Sequence, residues 1–195
     1  MVDLDGALLV IKILNAGVAD SRKATAFTAD DYRWTFETNV FGVCEWMEAV
    51  LPDMIAAKKG VIAGISSPAA WRGFPSTGSY CASKAALSTM LESARLDLRG
   101  TGVEVITVCP GWVRSEITDR NDPKEMFILL EVEDGVRRIL RGIDKRRRLV
   151  HFPCQMTWLV RYLIRPMPMW LYDPLIARFV KRNKQPYVDQ SAFQK

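Results

Sequence analysis

Two side chains four residues apart, Tyr80 and Lys84, are the part of this sequence best suited to moving a proton. On a helix that spacing places both on one face. A phenol with an ordinary pKa of about 10 is a poor acid or base at neutral pH, and a neighbouring ammonium favours the phenolate and lowers that value. The spacing alone is weak: five tyrosines and ten lysines in 195 residues supply about 0.26 such pairs by chance. Its surroundings add weight. Ser66-Ser67 ends an apolar run, and Ser67 lies 13 residues before Tyr80. Asn39 sits upstream in Asn39-Val40-Phe41-Gly42, and two more apolar runs end in Asn15-Ala16-Gly17 and Pro110-Gly111-Trp112-Val113-Arg114-Ser115.

The elements that must position these groups follow from hydrophobic period. Leu8 to Leu14, Val61 to Ile65, Val103 to Cys109 and Leu149 to Phe152 are short apolar runs ended by turn residues or polar residues, which predicts buried strands. Thr28-Ala29-Asp30-Asp31 offers a cap, and Phe36, Val40, Val43, Met47 and Val50 follow at helical spacing up to Lys58-Lys59-Gly60. A second helix runs from Ser79 to Arg99, with Leu87, Met90, Leu91, Ala94 and Leu98 on one face and Gly100 and Gly102 as stops. A third spans Val132 to Gly142. Strands alternating with helices of this length imply right-handed βαβ units, an α/β fold with a doubly wound parallel sheet.

With those elements in place the sequence resembles the short-chain dehydrogenase/reductase family, through Asn15-Ala16-Gly17, Asn39, Ser67, Tyr80-x-x-x-Lys84 and Pro110-Gly111 in family order over roughly residues 8–118. The resemblance implies a Rossmann-like fold and an NAD- or NADP-dependent oxidoreductase that interconverts a hydroxyl and a carbonyl group. Tyr80 would be the acid/base on the substrate oxygen. Lys84 would lower the Tyr80 pKa and hold the nicotinamide ribose, and Ser67 would hydrogen-bond the substrate oxygen. Asn39 would brace its helix and position a water that relays protons past Lys84. Asn15, Ala16 and Gly17 would line the adenosine side of the cofactor, while Pro110, Gly111, Val113 and Ser115 would face the nicotinamide end. Ser115 stands where the family more often has Thr.

The family's Gly-rich turn, T-G-x-x-x-G-x-G, lies about 70 residues before its Asn-Ala-Gly turn and binds the pyrophosphate on backbone N–H groups. Here 14 residues precede Asn15, and the pattern does not occur in the chain. The expectation is a sheet without its first strands, in which Leu8–Leu14 is an apolar edge and the cofactor crevice has one wall. Such a chain, a fragment or a reading frame started late, is expected to bind nicotinamide cofactors poorly and to fold marginally. Coenzyme preference, substrate, reaction direction and oligomeric state stay open.

Composition bounds the rest. About half the residues are apolar and a quarter charged, and no uninterrupted apolar run reaches the roughly 18 residues of a membrane span. The start, Met1-Val2-Asp3-Leu4-Asp5, lacks the basic opening of a secretory signal. Cys44, Cys81, Cys109 and Cys154 form no C-x-x-C, and His151 is the only histidine. No metal site is therefore expected, His151 reads as structural, and reduced thiols point to the cytoplasm. Trp71, Phe74, Trp112, Met126 and Phe127 flank the proposed site and point to an apolar carbonyl substrate, although core packing explains them equally well.

Net charge is uneven: residues 1–135 hold 13 Lys/Arg against 19 Asp/Glu, whereas residues 136–195 hold 14 against 3. Residues 1–153 are expected to form the partial Rossmann-like domain and 154–195 a basic, aromatic-rich helical extension. Trp158 to Arg165 and Trp170-Leu171-Tyr172 interleave aromatic residues with Arg, which suits either a helix lying on lipid or a helix pair over the substrate site. Nucleic acid is not an expected partner, because no recognition motif accompanies the charge. Two rivals to an enzyme remain: a non-catalytic fragment that acts as an interaction partner, and a peripheral membrane protein. Homo-oligomer pairing through the two long helices is compatible with each reading.

Overall fold

The four apolar runs become four strands of one parallel sheet: β1 (Ile11–Leu14), β2 (Gly60–Ile65), β3 (Val103–Pro110) and β4 (Leu149–Phe152), in the spatial order β1-β2-β3-β4. This is a computed structural model, which describes residues 10–19, 22–115, 117–119, 126 and 128–182. Leu8, Leu9 and Phe127, and the tail beyond 182, lie outside the described residues. The register pairs Leu14 with Gly64, Ile65 with Val108 and Pro110 with Phe152, so the four strand ends open on one side of the sheet. There the crossovers leave their turns, and in open α/β sheets that side carries the ligand crevice.

Period-two alternation divides the strands between two cores. Leu14, Ile62, Val103 and Val105 pack against Val43, Met47, Leu87 and Leu91 of the helices on one face. Val61, Ala63, Ile65, Ile106 and Val108 pack on the other face, against Ile143, Val150 and Phe152. The helices are α1 (Ala29–Phe36) and α2 (Gly42–Ala56), joined by a π-helical turn at Glu37–Phe41, then α3 (Gly78–Asp97) and α4 (Val132–Asp144). Thr28 caps α1, its hydroxyl accepting from the Asp31 N–H. Gly64 lets α3 approach the sheet, because a Cβ there would collide with Leu91. Beyond β4 the chain forms α5 (Cys154–Trp158), a π-helical stretch Leu159–Ile164 and α6 (Met169–Arg182).

One expectation changes in detail. The helix read as one run from about residue 30 to 58 is interrupted by the widened turn at Glu37–Phe41. Within the described residues β1 is the end strand of the sheet, paired with β2, and Val10 and Ile13 are exposed on it. Among the described helices none is long and apolar enough to cross a membrane.

Candidate active site

The chain places Ser67 immediately beyond β2, where its side chain caps the short 3-10 turn Pro68–Ala70 by accepting from the Ala69 N–H at 3.2 Å. Tyr80 is in the first turn of α3. The Ser67 side chain lies close enough to the Tyr80 phenol to lower its pKa, so the two hydroxyls face each other on one side of the molecule. Lys84, one turn further along α3, has its ammonium 5.8 Å from the centre of the Tyr80 ring. That ammonium is buried and donates to the Ile65 carbonyl at 2.8 Å.

Asn39 is brought to the same place by the π-helical turn, and it is fully buried. Its Nδ2 donates to the Val18 carbonyl at 2.9 Å and to Ser83 Oγ at 3.0 Å, and its Oδ1 accepts from the Val18 N–H at 2.8 Å. The amide therefore clasps the backbone just past Asn15-Ala16-Gly17 and ties it to α3. π-turns of this kind interrupt helices mostly at functional positions. Gly17 completes the meeting point: a Cβ there would lie 3.3 Å from both Asn39 Oδ1 and Lys84 Nζ.

Electrostatics correct one expectation. Lys84 was expected to make Tyr80 more acidic, yet the Tyr80 pKa is raised. Although part of the ring reaches solvent, burial of the hydroxyl end is the largest cause, and the nearby Ser67 side chain offsets only some of it. The Lys84 ammonium donates to the Ile65 carbonyl and faces the Gly17 turn, and its effect on the phenol is outweighed by burial. Its own pKa falls to about 8, because burial opposes its charge more than nearby Cys109 favours it. Cys109, fully buried at the end of β3, is pushed up to about 12 by the same desolvation. Its thiol is inert as a nucleophile.

The Pro110–Ser115 segment leaves β3 beside these groups. The Gly111 N–H donates to the Phe152 carbonyl at 2.6 Å, and a side chain there would collide with Met156. Val113 directs its side chain into the core beside Gly135 and Phe152. Ser115 donates its N–H to Thr118 Oγ1 at 2.7 Å, and that buried hydroxyl donates back to the Val113 carbonyl at 2.9 Å, which fixes the turn. Arg114 and Glu131 pair at 3.0 Å on the surface.

Trp71, Phe74 and Trp112 are half-buried around the site, as is Met126. Trp71 meets His151 edge-on at 6.2 Å between ring centres, and the Arg161 guanidinium lies 5.7 Å over the Trp71 ring. His151 is held through Nδ1 to Thr157 Oγ1 at 2.8 Å, and burial lowers its pKa. Among the described residues no group of His, Cys, Asp and Glu could hold a metal ion. Sequence reasoning passed over Ser83, which joins Asn39 to the Tyr80 carbonyl (2.9 Å). A serine between Tyr80 and Lys84, on the face that must pack against Asn39, was the available signal.

A parallel α/β sheet carrying Ser, Tyr, Lys and Asn at its strand ends defines a class of dehydrogenase, and comparison with known proteins places the chain within it. The short chain dehydrogenase model matches residues 5–126, and the chain belongs to that family of oxidoreductases. It is 38% identical over 177 residues to an uncharacterized oxidoreductase of Myxococcus xanthus (strain DK1622), a match covering 91% of this chain and 69% of the relative. It is 32% identical to the 3-ketodihydrosphingosine reductase of Bacteroides thetaiotaomicron, over 71% of this chain and 52% of that one. A solved short chain dehydrogenase from Burkholderia cenocepacia J2315, in complex with NADP, superposes with a TM-score of 0.73 at 26% identity, over 87% of this chain and 70% of that one. The chain spans about half the length of several curated relatives it matches.

Proposed function

We propose that this chain carries the catalytic half of an NAD(P)-dependent oxidoreductase that interconverts a hydroxyl and a carbonyl group on an apolar substrate. The meeting of the Ser67 and Tyr80 hydroxyls, backed by Lys84 and Asn39, carries that reading. In the reducing direction Tyr80 donates its proton to the carbonyl oxygen, and Ser67 donates a hydrogen bond to the same oxygen as charge develops on it. The raised pKa keeps Tyr80 protonated at neutral pH, which suits an acid. Lys84 stabilises the phenolate left behind, and Asn39 fixes the turn on which the ammonium rests.

The residues present fit the nicotinamide end of a dinucleotide. The absence of a side chain at Gly17 lets its backbone approach the Lys84 ammonium, since a Cβ there would lie only 3.3 Å from Nζ. Lys84 has three N–H donors, and one is engaged by Ile65. Lys84 would hold the ribose, Asn15, Ala16 and Gly17 the adenosine side, and Pro110, Gly111, Val113 and Ser115 the nicotinamide end. The cofactor, when bound, supplies or accepts the hydride. Trp71, Phe74 and Trp112 support an apolar substrate, and so does the name of the Bacteroides relative.

The test joins the N-terminal segment of the Myxococcus relative to this chain and measures reduction of a long-chain ketone with NADH and NADPH. Tyr80→Phe, which removes only the acidic hydroxyl, is expected to lower kcat/KM by at least about 100-fold. Retention of activity by Tyr80→Phe overturns the assignment.

A further inference from the structure

The helices after β4 present an apolar surface that the active site does not use. Trp158, Leu159, Tyr162 and Leu163 follow at i, i+1, i+4 and i+5, and the Trp158 and Tyr162 rings touch with centres 5.6 Å apart. All four are exposed, Trp158 at 59%. After the Pro166–Pro168 turn, Met169, Trp170, Leu171 and Leu175 are exposed as well, Trp170 at 76%. So dense a cluster of large apolar side chains needs a partner surface.

The segment is fastened from within. Tyr172 is buried and donates its hydroxyl hydrogen to the Gly73 carbonyl. The Arg72 guanidinium stacks 4.2 Å over the Tyr172 ring and donates to the Arg165 carbonyl at 3.1 Å. The inner side of α6 is thereby committed to the protein, while Met169, Trp170, Leu171 and Leu175 remain exposed.

We propose that residues 154–182 form a docking face for the surface of an anionic lipid bilayer. Within that segment five basic residues stand against a single acid, Asp173, and Arg165 and Arg178 are exposed among the described side chains. Trp and Tyr among aliphatic side chains, with Arg close by, match the boundary between acyl chains and charged headgroups. The segment lies on the bilayer rather than spanning it, because none of the described helices is long and apolar enough to cross. Pairing of two copies through this face would bring like charges together, whereas anionic headgroups neutralise them. Nucleic acid would offer its phosphates to the arginines and base faces to the indoles, but nothing for Leu159, Leu163, Leu171 and Leu175. The proposal is independent of the catalytic reading.

Flotation of the whole chain with vesicles decides it. Binding is expected to phosphatidylcholine vesicles containing about one third phosphatidylglycerol, and to be at least about tenfold weaker to pure phosphatidylcholine or in high salt. The indole fluorescence is expected to shift to the blue on binding. Trp158→Ala with Trp170→Ala is expected to weaken binding at least about tenfold. Since both indoles project outward, the melting temperature of that variant is expected to match the parent's. Arg178→Glu, on an exposed position, is expected to weaken only the binding to anionic vesicles. No flotation with anionic vesicles, or equal flotation by the double Trp variant, overturns the proposal. So does self-association that the same Trp substitutions abolish, which would assign the face to a second copy.

Discussion

At the scale of single residues the site is built around a charge that the fold disfavours. Lys84 is 4% exposed, and its pKa of about 8 lies below that of a lysine in the unfolded chain, about 10.4. Keeping the folded group protonated costs about 3 kcal/mol net at neutral pH, while removing the ammonium would leave the Ile65 carbonyl without its donor at a cost of about 1 kcal/mol. The sign of the pH dependence follows. Between pH 8 and about 10.4 the unfolded state binds the extra proton, so this group's contribution to stability rises with pH across that window. On the proposed mechanism activity is expected to fall over the same window, because the Lys84 ammonium is lost as pH passes 8. Lys84→Met is accordingly expected to raise the unfolding free energy at pH 7 by about 1 to 2 kcal/mol. The same change is expected to lower carbonyl reduction at least about 100-fold. Urea denaturation and a reductase assay on one preparation check both, and a variant that loses stability contradicts the burial argument.

Among the elements, α3 matters most, because it carries Tyr80, Ser83 and Lys84 and must end cleanly before β3 begins. It does so through two glycines with left-handed backbone, Gly100 at φ 86° and Gly102 at φ 85°. They differ in surroundings. A Cβ at Gly100 would meet open space, whereas one at Gly102 would run into the backbone of Lys58, at the end of the α2 crossover. Gly100→Ala is therefore expected to cost about 1 kcal/mol, from backbone strain alone, and Gly102→Ala at least about 2 kcal/mol more. Chemical denaturation of the two variants checks the order; equal losses would show that φ decides and the contact does not. The strands, α3 and α4 were legible because apolar period and glycine stops are local signals. The π-turn at Glu37–Phe41 was not, since Phe36, Val40, Val43 and Met47 keep a helical spacing through it. Ser67, Tyr80 and Lys84 were legible only together with Asn15-Ala16-Gly17, Asn39 and Pro110-Gly111, because the Tyr80–Lys84 spacing by itself is weak. The roles of Ser83 and of Cys109 depend on how α2, α3 and β3 meet, which no window of sequence contains.

For the molecule as a whole, what most needs explaining is how a basic, apolar C-terminal segment is held to an otherwise acidic α/β body. The contacts converge on Trp71–Gly73, the stretch that leaves the Ser67 turn. Arg161 lies over Trp71, Arg72 lies over Tyr172 and reaches Arg165, and Tyr172 reaches Gly73. A groove of about 490 Å³ lies between Gly73–Pro75 and α6. Few contacts and much exposed surface mark a segment that opens locally before the sheet does. Arg72→Ala removes both the stacking on Tyr172 and the bond to Arg165, and Tyr172→Phe removes only the bond to Gly73. Hydrogen exchange over 154–182 and 71–77 is expected to accelerate at least about tenfold in Arg72→Ala and several-fold less in Tyr172→Phe. The amides of β2 and β3 are expected to keep their protection, because their core residues have no part in these contacts. Were β2 and β3 to lose protection in step with α6, the C-terminal helices would be part of the cooperative core, and docking through them could not proceed without straining the site.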